Sequence, residues 1–146
     1  MPGGRESFTY HRPVATVCAQ RTIARPADAV WALVADVASI ASWFPSFVSS
    51  RLDADGHRRI HLATGVELDE EILEVDPAAR RLTYRIVGGL PILRSHHATV
   101  DVTGDADRAV VTYTTEVDPP ALAWILGGAI EEALDELDRQ LAGVAV

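Results

Sequence analysis

The sequence contains no lysine and only one cysteine, and it has no long apolar run. All 13 basic residues are arginine. Without lysine there is no Schiff-base amine, which excludes aldolase-type and pyridoxal-phosphate chemistry. Cys18 alone excludes an internal disulfide framework and any CxxC redox or zinc motif. No apolar run approaches the roughly 18 to 20 residues of a membrane span. The N-terminus, Met1-Pro-Gly-Gly-Arg-Glu6, lacks the basic-then-apolar order of a signal peptide, so a cytoplasmic protein with no membrane insertion is expected. Positive charge is also scarce: 21 Asp and Glu against 13 Arg leave a net charge of -8. Such a chain is not expected to hold a nucleic-acid backbone or an anionic membrane by charge.

What is present suits one globular unit. The 146 residues are 48% hydrophobic and 23% charged, enough apolar material for a sizeable core. Residues 1–13, with two Gly and two Pro, read as a flexible tail, and residues 14–146 as a single domain. Val14 to Ile23 alternates and carries β-branched residues, the pattern of a strand. Pro26 and Asp28 suit a helix start, and Val30, Val34 and Val37 then recur at helical spacing. Ile40 to Phe44 reads as a second short helix, stopped by Pro45.

From Ser46 the period changes to two. Phe47–Leu52, Arg58–Ala63, Val66–Val75, Arg81–Val87, Ile92–Thr103 and Ala109–Val117 all read as strands, separated by short Gly-, Asp- and Pro-rich turns. Breaks that short predict an antiparallel meander. After Pro119-Pro120, Leu122, Leu126, Ile130, Leu134, Leu137 and Leu141 form one helical stripe, with Gly127-Gly128 as a point of kinking. The stripe must bury itself against the sheet.

Several segments carry a resemblance. Ile23-Ala-Arg-Pro-Ala-Asp-Ala-Val-Trp31 resembles a strand-to-helix junction of the form PxxxVW, and Trp43-Phe44-Pro45 a WxP in the second short helix. Glu70–Asp76 followed by Leu82-Thr-Tyr-Arg-Ile86 resembles a pair of central strands. Tyr113-Thr-Thr-Glu-Val-Asp-Pro119 resembles a last strand entering a long helix. Over residues 14–142 the chain resembles the START-like, or SRPBCC, helix-grip superfamily. The resemblance implies an α+β fold: a curved, seven-stranded antiparallel sheet around a long C-terminal helix, with two short helices after the first strand. It also implies an apolar or aromatic small-molecule ligand between sheet and helix, and no metal or cofactor. The superfamily includes polyketide cyclases and aromatases as well as non-enzymatic lipid carriers, and fold alone does not choose between them. A homodimer is compatible with the pattern.

Strand parity names the cavity wall. Val111, Tyr113, Thr115 and Val117 share one face. Ala98, Val100 and Val102 set the inner parity of their strand, which carried backwards includes His96 and Arg94. Leu82, Tyr84 and Ile86 face in, and Glu70 falls among Val66, Leu68 and Ile72. Leu73 and Val75 break that pattern, which suggests a bulge and leaves Glu71 as the alternative inward carboxylate. A hairpin centred on Gly89–Leu90 pairs residues summing to about 180, setting Tyr84 opposite His96 and Ile86 opposite Arg94. The hairpin around Ala78 brings Glu70 to Ile86. Arg21 shares parity with Val17, Ala19 and Ile23.

The expected site is thus a polar strip on an apolar wall. His96 would move protons, Tyr84 and Arg94 would stabilise a carbonyl or enolate, and Glu70 would orient or act as a second acid/base group. Arg21, Trp43, Tyr113, Thr115, Ile86 and Ile130 would line the ligand. Plainer readings stand beside these. His96 can be a core histidine bonded to Tyr84, Glu70 and Arg94 a structural ion pair, and Trp43 and Tyr113 packing residues. Cys18 is expected to be a buried, inert thiol.

Overall fold

The structure, a computed structural model, describes residues 13–142. The N-terminal tail up to residue 12 and the last four residues of the expected domain lie outside the described residues. Strand β1 (Ala15–Ile23) leads into helix α1 (Ala27–Ala35) and a 3-10 segment (Val37–Ser42). Strands β2 (Phe47–Leu52), β3 (His57–Leu62), β4 (Glu67–Asp76), β5 (Arg81–Gly88), β6 (Ser95–Gly104) and β7 (Ala109–Asp118) follow. A short 3-10 turn then enters helix α2 (Ala123–Ala142). The sheet is seven-stranded and antiparallel, in the order β1-β7-β6-β5-β4-β3-β2. It is the expected meander, with the first strand closing beside the last in an α+β helix-grip fold.

Alternation explains which face is buried. Along β7, Ala109, Val111, Tyr113, Thr115 and Val117 are sealed, while the residues between them are more exposed. The suspected irregularity in β4 is a register shift between Ile72 and Glu74. Leu73 and Val75, at and beyond it, are exposed, while Leu68 and Glu70 before it are buried, with a second shift between Asp69 and Glu70. Cys18 corrects the expectation of burial, because it shares outer-face parity with Thr16 and Gln20 and is exposed.

Helix α2 runs as one continuous element through Gly127-Gly128. Its C-terminal half is fastened down. Ile130, Ala133, Leu134 and Leu137 are buried, Arg21 reaches Asp135 at 2.7 Å and Asp138 at 3.0 Å, and Arg25 donates to the Leu141 carbonyl. A cation at the last carbonyls also complements the helix dipole. The N-terminal half is looser, with Trp124 89% and Ile125 72% exposed. A cavity lies beneath that half.

One strand begins later than its sequence suggests. β6 starts at Ser95 rather than Ile92, because Gly88–Arg94 makes a wide connection. Gly89 has φ +97°, and a Cβ there would lie 2.1 Å from the Glu67 carbonyl oxygen, so this turn requires glycine. Its width also moves the pairing by two residues: Tyr84 lies opposite Ala98, not His96.

Candidate functional site

A cavity of about 330 Å3 opens between the sheet and the first half of α2. Its walls are largely apolar, including Phe44, Phe47, Leu68, Ile86, Leu126 and Ile130. Glu70, Tyr84, His96, Tyr113 and Thr115 are its buried polar side chains. An apolar pocket with a few convergent polar groups is the usual anatomy of a small-molecule site.

Glu70 points inward and is 1% exposed, while its neighbour Glu71 turns out to pair with Arg85 at 2.7 Å. The partner of Glu70 is neither Arg94 nor Arg21. It is Arg58, fully buried on β3, whose Nε donates to Glu70 Oε1 at 2.7 Å and whose Nη2 lies 2.6 Å from the same oxygen. A further nitrogen, Nη1, donates to the Val37 carbonyl, and the guanidinium lies 4.8 Å from the Tyr84 ring centroid. Arg58 is the residue that sequence reasoning missed. The signal was available: β3 and β4 meet across the Thr64-Gly65 turn, and that pairing sets Arg58 directly opposite Glu70.

Burial raises the Glu70 carboxyl above its ordinary range, against the pull of Arg58. The Tyr84 and Tyr113 hydroxyls bond to one another, and burial pushes both phenols up, so both stay protonated at neutral pH. The Thr115 hydroxyl is buried and has no hydrogen-bond partner among the described residues. A buried hydroxyl left unpaired is costly, and this one lines the cavity.

His96 is 7% exposed and packs against Tyr84, ring centroids 5.7 Å apart. Its Nδ1 accepts the Ile86 backbone N–H at 3.0 Å, so the ring is neutral and its proton sits on Nε2. Burial pulls its pKa down to about 4. The expected proton-moving histidine is therefore a fixed hydrogen-bond donor at neutral pH. The plainer reading of a core histidine holds for its burial and its packing on Tyr84, but the bond goes to the Ile86 backbone and not to the Tyr84 hydroxyl.

Ile86, Tyr113, Thr115 and Ile130 line the cavity. Three expected residues do not. Arg94 lies just before β6, where its side chain is 58% exposed and meets Asp118 at 3.5 Å. Arg21 faces α2 but is taken by Asp135 and Asp138. Trp43 is 1% exposed and packs in the core against Phe44. Among the described residues, no cluster of His, Cys, Asp and Glu could hold a metal ion. No helix among them is long and apolar enough to cross a membrane.

The fold has close counterparts. The protein XoxI from Bacillus cereus superposes with a TM-score of 0.82 at 18% identity, covering 88% of this chain and 96% of that one. The Zhui aromatase/cyclase from Streptomyces sp. R1128 gives 0.70 at 23% identity, covering 91% and 100%. Norcoclaurine synthase from Thalictrum flavum, in complex with dopamine and hydroxybenzaldehyde, gives 0.71 at 18%, covering 92% and 90%. No curated protein sequence matches the chain. At these identities the likeness is one of fold. The sequence itself decides membership: residues 14–145 match the model of one family, and the chain belongs to the polyketide cyclase/dehydrase and lipid transport family.

Proposed function

We propose that the protein binds a compact, apolar, carbonyl-bearing molecule in this cavity and promotes its cyclisation or dehydration by proton transfer, as a polyketide cyclase or aromatase-like enzyme. The observation that carries this reading is the buried set Arg58, Glu70, Tyr84 and Tyr113. These are four ionisable side chains with Glu70 and both tyrosines on the wall of a largely apolar cavity. Glu70, Tyr84 and Tyr113, all shifted upward by burial, gather at this one pocket, as is typical of acid–base sites. Ionised Glu70, held through Oε1 by Arg58, takes a proton from a carbon between two carbonyls. The enolate oxygen accepts hydrogen bonds from the tyrosine hydroxyl whose proton is not spent on the other tyrosine, from the Thr115 hydroxyl and from His96 Nε2–H. The carbanionic carbon attacks a second carbonyl of the same chain, forming the ring bond. The new alkoxide takes that proton back from Glu70; for dehydration Glu70 then removes the second proton of the same carbon, the C–O bond breaks, and the departing hydroxide takes the proton from Glu70 to leave as water. A cytoplasmic setting fits the single cysteine.

A second reading, a non-catalytic carrier, is favoured by one feature: the Nδ1 lone pair of His96 and Oε1 of Glu70 are already engaged. Glu70→Gln and Tyr84→Phe separate the two. Titration with an aromatic β-diketone, followed by product analysis, should show affinity changed less than about threefold and turnover lost by about a hundredfold or more. Binding without turnover by the unaltered protein across a panel of linear β-polyketones would leave the carrier.

A further inference from the structure

Strands β5 and β6 part before either ends. Their ladder runs from Arg81↔Asp101 to Tyr84↔Ala98 and stops. Beyond it β5 continues to Gly88 bonded to β4, and β6 begins at Ser95 bonded to β7. The wedge between them holds a second hollow of about 310 Å3. Ile86, Leu90, Leu93 and His96 border both this hollow and the main cavity, so the two spaces share a wall at His96. The Ile86-to-His96 bond is the strut there.

The two spaces differ in chemistry. The hollow's charged lining is Arg85 and Arg94, joined by Ser95, in a protein whose net charge is -8. Arg85 already binds Glu71 Oε2 at 3.0 and 2.7 Å. Arg94 meets Asp118 Oδ1 only at 3.5 Å, and its side chain is 58% exposed. A guanidinium so loosely matched is a ready partner for an oxyanion.

We infer that the splayed end of β5 and β6 is an anion subsite, so that the ligand is an amphiphile: an apolar body in the cavity and a carboxylate or phosphate-type tail passing His96 to reach Arg94. The inference rests on reading the main cavity as a ligand site and adds the charge and shape of the ligand. It also gives Arg94, outside the cavity, a specificity role.

The test compares 6-phenylhexanoate with the equally long 6-phenylhexan-1-ol by calorimetry at neutral pH. The acid should bind the unaltered protein about fivefold more tightly than the alcohol, the scale of one partly exposed charge pair. Arg94→Gln should abolish that preference and leave alcohol affinity unchanged, and Arg139→Gln, on α2, should keep the preference. Equal binding of acid and alcohol, or a preference that survives in Arg94→Gln, overturns the anion subsite while leaving the cavity reading intact. Binding of neither probe overturns both. Inorganic phosphate or acetate that competes with the acid but not with the alcohol would tell a site for the oxyanion itself from one that needs the whole amphiphile; competition with both overturns the assignment to Arg94.

Discussion

Arg58 and Glu70 face each other across β3 and β4, with Nη2 2.6 Å from Oε1 and both side chains sealed from solvent. An ion pair in such a place is costly to form and more costly to halve, since removing one partner leaves an unpaired buried charge. Arg58→Met should therefore destabilise the protein by about 3–5 kcal/mol at neutral pH. Arg58→Met with Glu70→Leu should recover most of that loss, because an apolar pair of similar volume needs no desolvation. Urea unfolding of the single and double variants checks this. The single variant should also lose less at pH 4, where Glu70 can take up a proton.

His96 supplies a pH dependence whose sign follows from its lowered pKa. In the unfolded chain it protonates near the ordinary histidine value of 6.5, and in the fold only near about 4. Between those values the unfolded state binds more protons, so this group's contribution to stability falls as pH falls from about 6.5 to about 4. The full effect is about 3 kcal/mol, at roughly 1.4 kcal/mol per unit. Other groups also titrate in that window, so the test is a difference. The stability gap between the unaltered protein and His96→Gln, measured by urea unfolding, should shrink by about that amount from pH 7 to pH 4. A gap that does not change with pH would mean the imidazole is not held neutral.

Parity made the inner faces of β4 to β7 legible, because burial of one face fixes every second residue, but with a bulge suspected it left Glu71 beside Glu70 as an inward carboxylate. The bulge was legible as well, since Leu73 and Val75 broke the alternation. Register across Gly88–Arg94 was not. A long connection does not fix pairing as a two-residue turn does, and two residues of slip kept every face while changing every neighbour. Parity also cannot tell where α2 rests. Arg21 has the right face and sits beneath the acidic C-terminal half of that helix, away from the cavity. Arg58 escaped notice for a different reason: an arginine on a strand looks like a surface residue until the carboxylate opposite it is placed.

Two glycines should respond oppositely to alanine. Gly128 lies within α2, and a Cβ there meets nothing within 4 Å. Gly128→Ala should raise stability by about 0.5–1 kcal/mol, the helical cost of glycine. Gly89→Ala should lower it by more than that, since its Cβ would meet the Glu67 carbonyl at 2.1 Å with φ at +97°. Thermal melts of the two variants decide it. A stabilised Gly89→Ala would mean the wide turn can rearrange, and with it the gap between β5 and β6.

Thr115 offers the sharpest separation of stability from function. Its hydroxyl is buried at the cavity wall, without a partner among the described residues. Valine has nearly the same shape and no polar group to satisfy, so Thr115→Val should stabilise the ligand-free protein by about 1–2 kcal/mol. The same change removes a donor from the cavity, so it should weaken a carbonyl-bearing ligand by about three- to tenfold while leaving a pure hydrocarbon probe unaffected. A hydroxyl kept for packing alone would give neither effect, and one kept for the ligand gives both. Melting and titration of this single variant therefore test whether the fold gives up stability at Thr115 to hold a ligand oxygen.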